Sequence, residues 1–262
     1  MRVISWNVRR APATSEAWRV FADLDPDIAL LQEVTDIPAT IKASFETEFR
    51  RAIGRYGAQQ QFGTAILTKG KILSGPPLRS GYEWVDHELA RFSGNLVSSA
   101  VQISAYDRLN VVSVHSPAWP VDTSAYADID VSKVRLQQNP RVWVADILWS
   151  ALRNAHLNDM LWIVGGDLNM SETFDMTFGS GNREFLDRMR SLHLTECLRE
   201  YSGRLTPTFR NPRNGGVLHQ IDHLFVSDAL YSMLVGCRTG NEDTIFGGSI
   251  SDHLPIIADF TT

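Results

Sequence analysis

Four short strings place oxygen-rich side chains where apolar runs meet loops: Trp6-Asn7, Gln32-Glu33, Gly166-Asp167-Leu168-Asn169 and Ser251-Asp252-His253. The adjoining runs are Val3-Ile4, Ile28 to Leu31, Met160 to Val164 and Pro255-Ile256-Ile257, which read as buried strands. A strand end holds a side chain rigidly while leaving it within reach of a substrate. Carboxylate and amide oxygens suit Mg²⁺ or Mn²⁺, and such a site uses one or two carboxylates and leaves the rest to water and substrate phosphate. Asn7, Glu33 and Asp252 are the candidate ligands. Cys197 and Cys237 stand 40 residues apart without a zinc spacing, so zinc is the weaker choice. The chemistry implied is hydrolysis of phosphate esters.

The strings also have an order. Arg2 to Val8, Leu31-Gln32-Glu33-Val34, Phe62 to Thr68, Val112-Ser113-Val114-His115, Gly165 to Asn169, Gln220 to Ser227 and Ser251 to Ile256 follow one another along the chain. Seven strings in this order resemble the endonuclease/exonuclease/phosphatase superfamily, the deoxyribonuclease I-like fold. The resemblance runs from residue 2 to about residue 260. It implies a four-layer α/β/β/α sandwich of two mixed sheets flanked by helices. It leaves the substrate open, because one fold serves nucleases, sphingomyelinases, inositol phosphatases and deadenylases.

Phosphodiester hydrolysis needs an activated water, charge stabilisation on the phosphoryl oxygens and help for the leaving oxygen. By resemblance, Asp167 orients or deprotonates the water and Asn169 donates to a phosphate oxygen. Asp and Asn two apart share one side of an extended segment. The resemblance pairs Asp222 with His253, the carboxylate fixing the tautomer of an imidazole that contacts the scissile phosphate. An acid partner also favours the imidazolium. Asp252 binds metal directly or through water.

His115 ends the run Val111 to Val114. The exonuclease III-like abasic-site nucleases carry tyrosine there, whereas deoxyribonuclease I, sphingomyelinases and several phosphatases carry histidine. A histidine can protonate the leaving oxygen, and a purely hydrogen-bonding role is the alternative. Its acidic partner in deoxyribonuclease I has no obvious counterpart here, where Gln59, Gln60 and Gln61 occupy the neighbouring stretch. In a strand His219 and His223 share a face that Asp222 does not, so one metal cannot take all three. His87, His156 and His193 read as surface or helix-end residues.

Arg204, Arg210 and Arg213 lie in a stretch without acidic residues from 201 to 219, a candidate phosphate track of which Arg210 is the leading contact. Arg91 is a second candidate for substrate binding. Trp119 and Tyr126, in the segment after His115, either stack on bases or anchor their loop. The sequence Leu218 to His223 lacks the Pro-Ala-Trp-Cys-Asp-Arg string of the inositol 5-phosphatases, and no exposed apolar stretch suggests a membrane-inserting hairpin.

The elements that must position these residues follow from pattern. Strands are expected at 2–8, 27–33, 62–68, 95–104, 108–115, 160–166, 221–227 and 255–260. Helices are expected at 14–24, at 182–192 and at 140–154, the last with Asn139 as N-cap and Pro140 in the first turn. In that helix Val142, Ala145, Leu148 and Leu152 form one stripe, and Trp143 and Trp149 read as packing residues. At 262 residues and 44% apolar composition, one catalytic domain over 1–262 is expected. A net charge of −5 argues against a broad basic face without excluding a nuclease, since a metal site is itself acidic. Of the 25 basic residues 21 are arginine, which suits bidentate phosphate contacts where they face a substrate.

The absence of a membrane-length run, a strand directly after Met1, and two distant cysteines point to a cytoplasmic protein. The expectation is a Mg²⁺- or Mn²⁺-dependent nuclease with DNA or RNA as partner. The alternatives are a phosphoesterase of small or lipid-linked substrates and a non-catalytic binding protein.

Overall fold

The computed structural model describes residues 1–75, 77–104, 106–155, 160–178, 180–211, 216 and 218–261. The expectations for His156 and Arg213 lie outside the described residues. The strands in chain order are β1 Arg2–Ala11, β2 Ile28–Val34, β3 Glu46–Ile53, β4 Gln59–Thr68, β5 Lys71–Leu73, β6 Leu96–Ile103 and β7 Tyr106–His115. They continue with β8 Trp162–Asp167, β9 Leu194–Glu196, β10 Phe209–Arg210, β11 Leu218–His219, β12 Asp222–Ser227, β13 Leu234–Thr239 and β14 Ile256–Phe260. The helices are α1 Ala17–Leu24, α2 Ala39–Lys42, α3 Glu83–Arg91, α4 Val144–Asn154, α5 Glu172–Phe178, α6 Asn182–Arg190, α7 Cys197–Ser202 and α8 Asp228–Tyr231.

Two six-stranded mixed sheets result, ordered β13-β14-β1-β2-β4-β3 and β5-β6-β7-β8-β12-β9. In the first, β1 and β2 run parallel while β14 and β4 flank them antiparallel. In the second, β7 and β8 run parallel and β12 returns antiparallel beside β8.

The period-2 alternation of the strands builds the layers. Val3, Ile28, Leu30 and Ile66 of one sheet pack against Val111, Ile163, Leu224 and Val226 of the other. Their neighbours Ile4, Leu31 and Leu67 face outward to Trp18 and Phe21 of α1. On the opposite outer face, Val112, Val114, Trp162 and Val164 pack under α3, α4 and α6 through Leu89, Leu148, Leu152 and Phe185. This is the expected α/β/β/α sandwich. Among the described residues no helix is long and apolar enough to cross a membrane.

The helix expected at 14–24 starts at Ala17, and the one expected at 140–154 departs further. Helix α4 begins at Val144, and its cap is Trp143, whose backbone N–H donates to the Asp146 carboxylate at 2.8 Å. Asn139 instead accepts from the Arg141 backbone N–H at 3.0 Å and donates to the Ser180 carbonyl. Its side chain therefore closes a turn ahead of the helix, a use of Asn that competes with N-capping. The stripe Val142, Ala145, Leu148 and Leu152 is buried as expected.

Candidate active site

The inter-sheet stripe turns polar at one end of the sandwich. Along β1 the inward series runs Val3, Ser5, Asn7, and along β2 it runs Ile28, Leu30, Gln32, while on the other sheet Val111, Ser113, His115 and Ile163, Gly165, Asp167 do the same. Strand β12 enters at this end, so its inward series starts with Asp222 and continues to Leu224 and Val226. Register then aligns the acids: His115 lies opposite Asp167 and Asp167 opposite Asp222. A hydrogen bond from Gln32 Nε2 to Ser113 Oγ at 3.1 Å joins the sheets just below this row.

Asn7 bridges the two sheets. Its Nδ2 donates to Asp167 Oδ2 at 3.0 Å and reaches toward Glu33 Oε1 at 3.5 Å, while its Oδ1 accepts from the Arg9 backbone N–H. Asn7 thus turns its donor end to both carboxylates. Glu33 sits in the left-handed backbone region at φ 54°, where the β1–β2 and β2–β4 registers both shift. Among the described residues its carboxylate has only long polar contacts: 3.5 Å to Asn7, 3.6 Å to Arg10 and 3.7 Å to His115. A carboxylate so placed at the mouth of a cleft has lone pairs to spare.

His253 comes from the segment before β14. Trp6 Nε1 donates to its carbonyl at 2.9 Å, and Ser251 Oγ both accepts from the His253 backbone N–H and donates to the Asn7 carbonyl. The His253 Nδ1 lies 3.0 and 2.9 Å from the two Asp222 oxygens, leaving Nε2 3.9 Å from Asp167 Oδ2. Thr208 Oγ1 accepts from the Asp222 backbone N–H, and the Phe209 ring lies 4.7 Å from the imidazole. Burial by itself pushes the His253 imidazole down, but the Asp222 and Asp167 charges outweigh it and hold it above its ordinary value. Burial also raises the Asp167 carboxyl, with His253 opposing the rise.

Asp167, Asp222 and His253 place potential ligand atoms within 4.8 Å of one another. Both Asp222 oxygens face His253 Nδ1, so these two are first a hydrogen-bonded pair, with Asp167 3.9 Å from the other ring nitrogen. Among the described acids of the site, those with the loosest partners are Glu33 and, half-buried at the same cleft, Asp252.

Asn169 departs from the extended geometry expected of it. Its φ is 50°, its N–H donates to Asp167 Oδ1 at 3.0 Å, and its Nδ2 donates to the Ser116 carbonyl at 2.8 Å. The string is a turn folded over Asp167, and one N–H of the amide is already used. His115 Nε2 faces Glu33 at 3.7 Å, its Nδ1 is buried without a partner, and burial lowers its imidazole. The acid nearest His115 is therefore Glu33, which came from a different string.

Neither arginine singled out from sequence points into this group. Arg91 pairs with Glu88 at 3.1 Å and lies over Phe92, and Arg210 lies over Phe246 with Glu242 at 3.7 Å. The Arg210 backbone does reach the site, donating to the Asp252 carbonyl. His223 is buried, with Nε2 on the Met170 carbonyl, and His219 contacts Thr173, so neither joins Asp222 at a metal. Trp119 packs on Phe92 and Tyr126 donates to Glu88, which makes both loop anchors.

The cleft above the row also holds residues that the sequence reading passed over. Trp143, Met170, Phe174, Phe209 and Ile221 form an apolar wall, and Arg9 and Arg10 stand at the rim. Trp143, expected as a packing residue, lines the cleft from its position at the head of α4. The two arginines directly follow Asn7-Val8, and that adjacency was the signal for them.

The comparisons with known proteins agree with the fold. An archaeal AP endonuclease from Archaeoglobus fulgidus superposes with a TM-score of 0.71 at 16% identity, all of each chain being covered. The 3′ phosphatase NExo from Neisseria, bound to product DNA hairpin, gives 0.70 at 19% identity, again over the whole of both chains. The catalytic domain of Xenopus laevis APE2 gives 0.67 at 17% identity, covering 99% of this chain and 91% of that one. At such identities the likeness is one of fold. No curated protein matches the chain in sequence. The model of the Endonuclease/Exonuclease/phosphatase family matches residues 4–253, and the chain belongs to that family.

Proposed function

We propose that this protein is a divalent-metal-dependent phosphodiesterase that cuts nucleic acid. The observation that carries the reading is the convergence of Asp167, Asn7, Glu33, Asp222 and His253, drawn from both sheets, at one polar end of the inter-sheet stripe. The family and the DNA-bound neighbour support the substrate class.

Glu33 and Asp252 would hold the ion, and their hard, loosely partnered oxygens fit Mg²⁺ or Mn²⁺. Bound there, the ion supplies Lewis-acid stabilisation of phosphoryl and leaving oxygens. The remaining work belongs to the chain. Asp167 is buried and inclined to accept a proton, which suits it to activate the attacking water. His253, kept cationic by Asp222, presents Nε2–H to a phosphoryl oxygen beside that water. Asn7 fixes the spacing of Asp167 and Glu33. With burial lowering its imidazole, His115 serves as a hydrogen-bonding group toward the leaving oxygen.

A second reading rests on the apolar wall of Trp143, Met170, Phe174 and Phe209, which suits an apolar substituent on a smaller phosphodiester. Both are tested by incubating supercoiled plasmid, a single-stranded RNA and bis(p-nitrophenyl) phosphate with the protein in Mg²⁺, Mn²⁺ or EDTA. The expected outcome is metal-dependent nicking that falls about 10²-fold or more in Asp167→Ala and His253→Ala. Folded protein that cleaves the small diester and neither nucleic acid would overturn the nuclease reading in favour of the second.

A further inference from the structure

The backbone at Arg9 and Arg10 is held, the Arg9 N–H donating to Asn7 Oδ1 and the Arg10 carbonyl accepting from Thr35 Oγ1, each at 3.0 Å, but among the described residues no short ion pair engages either side chain. Both lie in the left-handed region, with φ of 49° and 56°, at the bulge where the β1–β2 register jumps from Asn7 to Ala11. Left-handed backbone disfavours any residue with a Cβ, and two in succession persist only where the surroundings insist on them. Strain of this kind collects at functional sites.

Their side chains are held loosely. Arg9 Nε stands 3.8 Å from Asp252, and Arg10 Nε 3.6 Å from Glu33. Among the described residues neither guanidinium donates a hydrogen bond. The contrast on the same strand is Arg2, whose Nε meets Asp259 at 2.7 Å and whose Nη1 donates to the Leu24 carbonyl. Charge-assisted pairs that hold a structure close to about 2.7–2.9 Å. The side chain of Arg9 is 49% exposed and that of Arg10 70% exposed. The Arg10 guanidinium lies 5.1 Å over the Phe62 ring, which also meets the His115 imidazole at 5.7 Å. The cations therefore flank the site: Arg9 on the Asp252 and His253 side, Arg10 on the Glu33 and His115 side.

We infer that Arg9 and Arg10 form a split phosphate clamp, each taking a backbone phosphate on one side of the scissile bond, so that the site selects a polynucleotide strand over a monophosphate ester. This rests on the nuclease reading above and specifies its substrate. A guanidinium offers bidentate donors to phosphate oxygens, and one cation on each side matches a polyanion whose charges repeat along a strand.

The test is the salt dependence of binding in an Asp167→Ala parent. Fluorescence anisotropy of a labelled single-stranded DNA 16-mer is measured at fixed Mg²⁺ over about 50 to 200 mM KCl. Each phosphate contact contributes roughly 0.7 to the slope of log Kd against log salt for a single strand. Arg9→Gln and Arg10→Gln should each flatten the slope by about that amount, the double variant by about twice as much, and Arg10→Lys should restore it. Arg9→Gly and Arg10→Gly, which suit the left-handed region, should melt at or above the parent while losing the same slope. Parent binding with slopes unchanged in the variants overturns the clamp alone. Glycine variants that melt well below the parent overturn it too, since the arginines would then be structural. A parent and wild type that neither bind nor cut any polynucleotide overturn the nuclease reading and the clamp together.

Discussion

Asp222 shows how much of this site acts through a neighbour. It is buried, its oxygens are spent on His253 Nδ1, and its own N–H is tied to Thr208. It has no route to a substrate except through the imidazole. Asp222→Asn keeps the shape and removes the charge that holds His253 cationic. The expected outcome is a fall in kcat of roughly 10²-fold or more with KM little changed, read from initial rates on a labelled oligonucleotide. At this scale the acids and His253 were legible from residue type and position at strand ends. The roles of single atoms were not: that the amide oxygen of Asn7 and one N–H of the Asn169 amide are already used depends on Arg9 and Ser116, partners supplied by the fold.

Strand β8 and helix α4 carry the site's precision. Gly166, just before Asp167, has φ 147°, and a Cβ there would sit 1.9 Å from the Val114 carbonyl oxygen. Only glycine lets β7 and β8 approach closely enough to set Asp167 beside His115. Gly166→Ala should destabilise by roughly 2–4 kcal/mol, seen as a lowered Tm, and should lose cleavage at temperatures where it is still folded. In α4 the N-terminal carboxylate Asp146 is fully buried, with one oxygen on the Trp143 N–H, Arg188 4.0 Å from the other, and its carboxyl pushed up to about 7 mainly by burial. A carboxyl whose folded value exceeds its unfolded value binds more protons folded than unfolded, so stability falls as pH rises from near 4 to near 7. Asp146→Asn keeps an acceptor for the cap without the charge. Its Tm should vary less between pH 5 and pH 8 than that of the wild type, a difference worth up to about 3 kcal/mol. The eight strands expected from apolar runs all exist, while β3, with its alternating charges, the short β5, β9, β10 and β11, and the largely unburied β13 carry too little apolar signal to stand out.

For the molecule as a whole, the contact between the sheets is what brings the site together. Asn7 and Glu33 belong to one sheet and Asp167, Asp222 and His115 to the other, so their spacing is set by the packing of Leu30, Ile66, Ile163 and Leu224 between them. Leu30→Ala, at a fully buried position, should cost about 2–5 kcal/mol, lowering Tm by roughly 5–15 °C in a thermal melt. Activity should fall further than the folded fraction alone explains, because loosening this layer changes the Asn7 to Asp167 distance.

Residue type and order along the chain determined the family, the sandwich and the polar residues at its end, because each is a local property: an apolar period of two, a strand end, a ligand-competent side chain. Only the tertiary structure decided who meets whom. His115 found Glu33 as its nearest acid, Arg91 and Arg210 turned to Phe92 and Phe246, and Arg9 and Arg10 came to flank the cleft. Those pairings depend on register, on bulges and on the left-handed residues that redirect β1 and β2, and such features arise from close packing between distant segments.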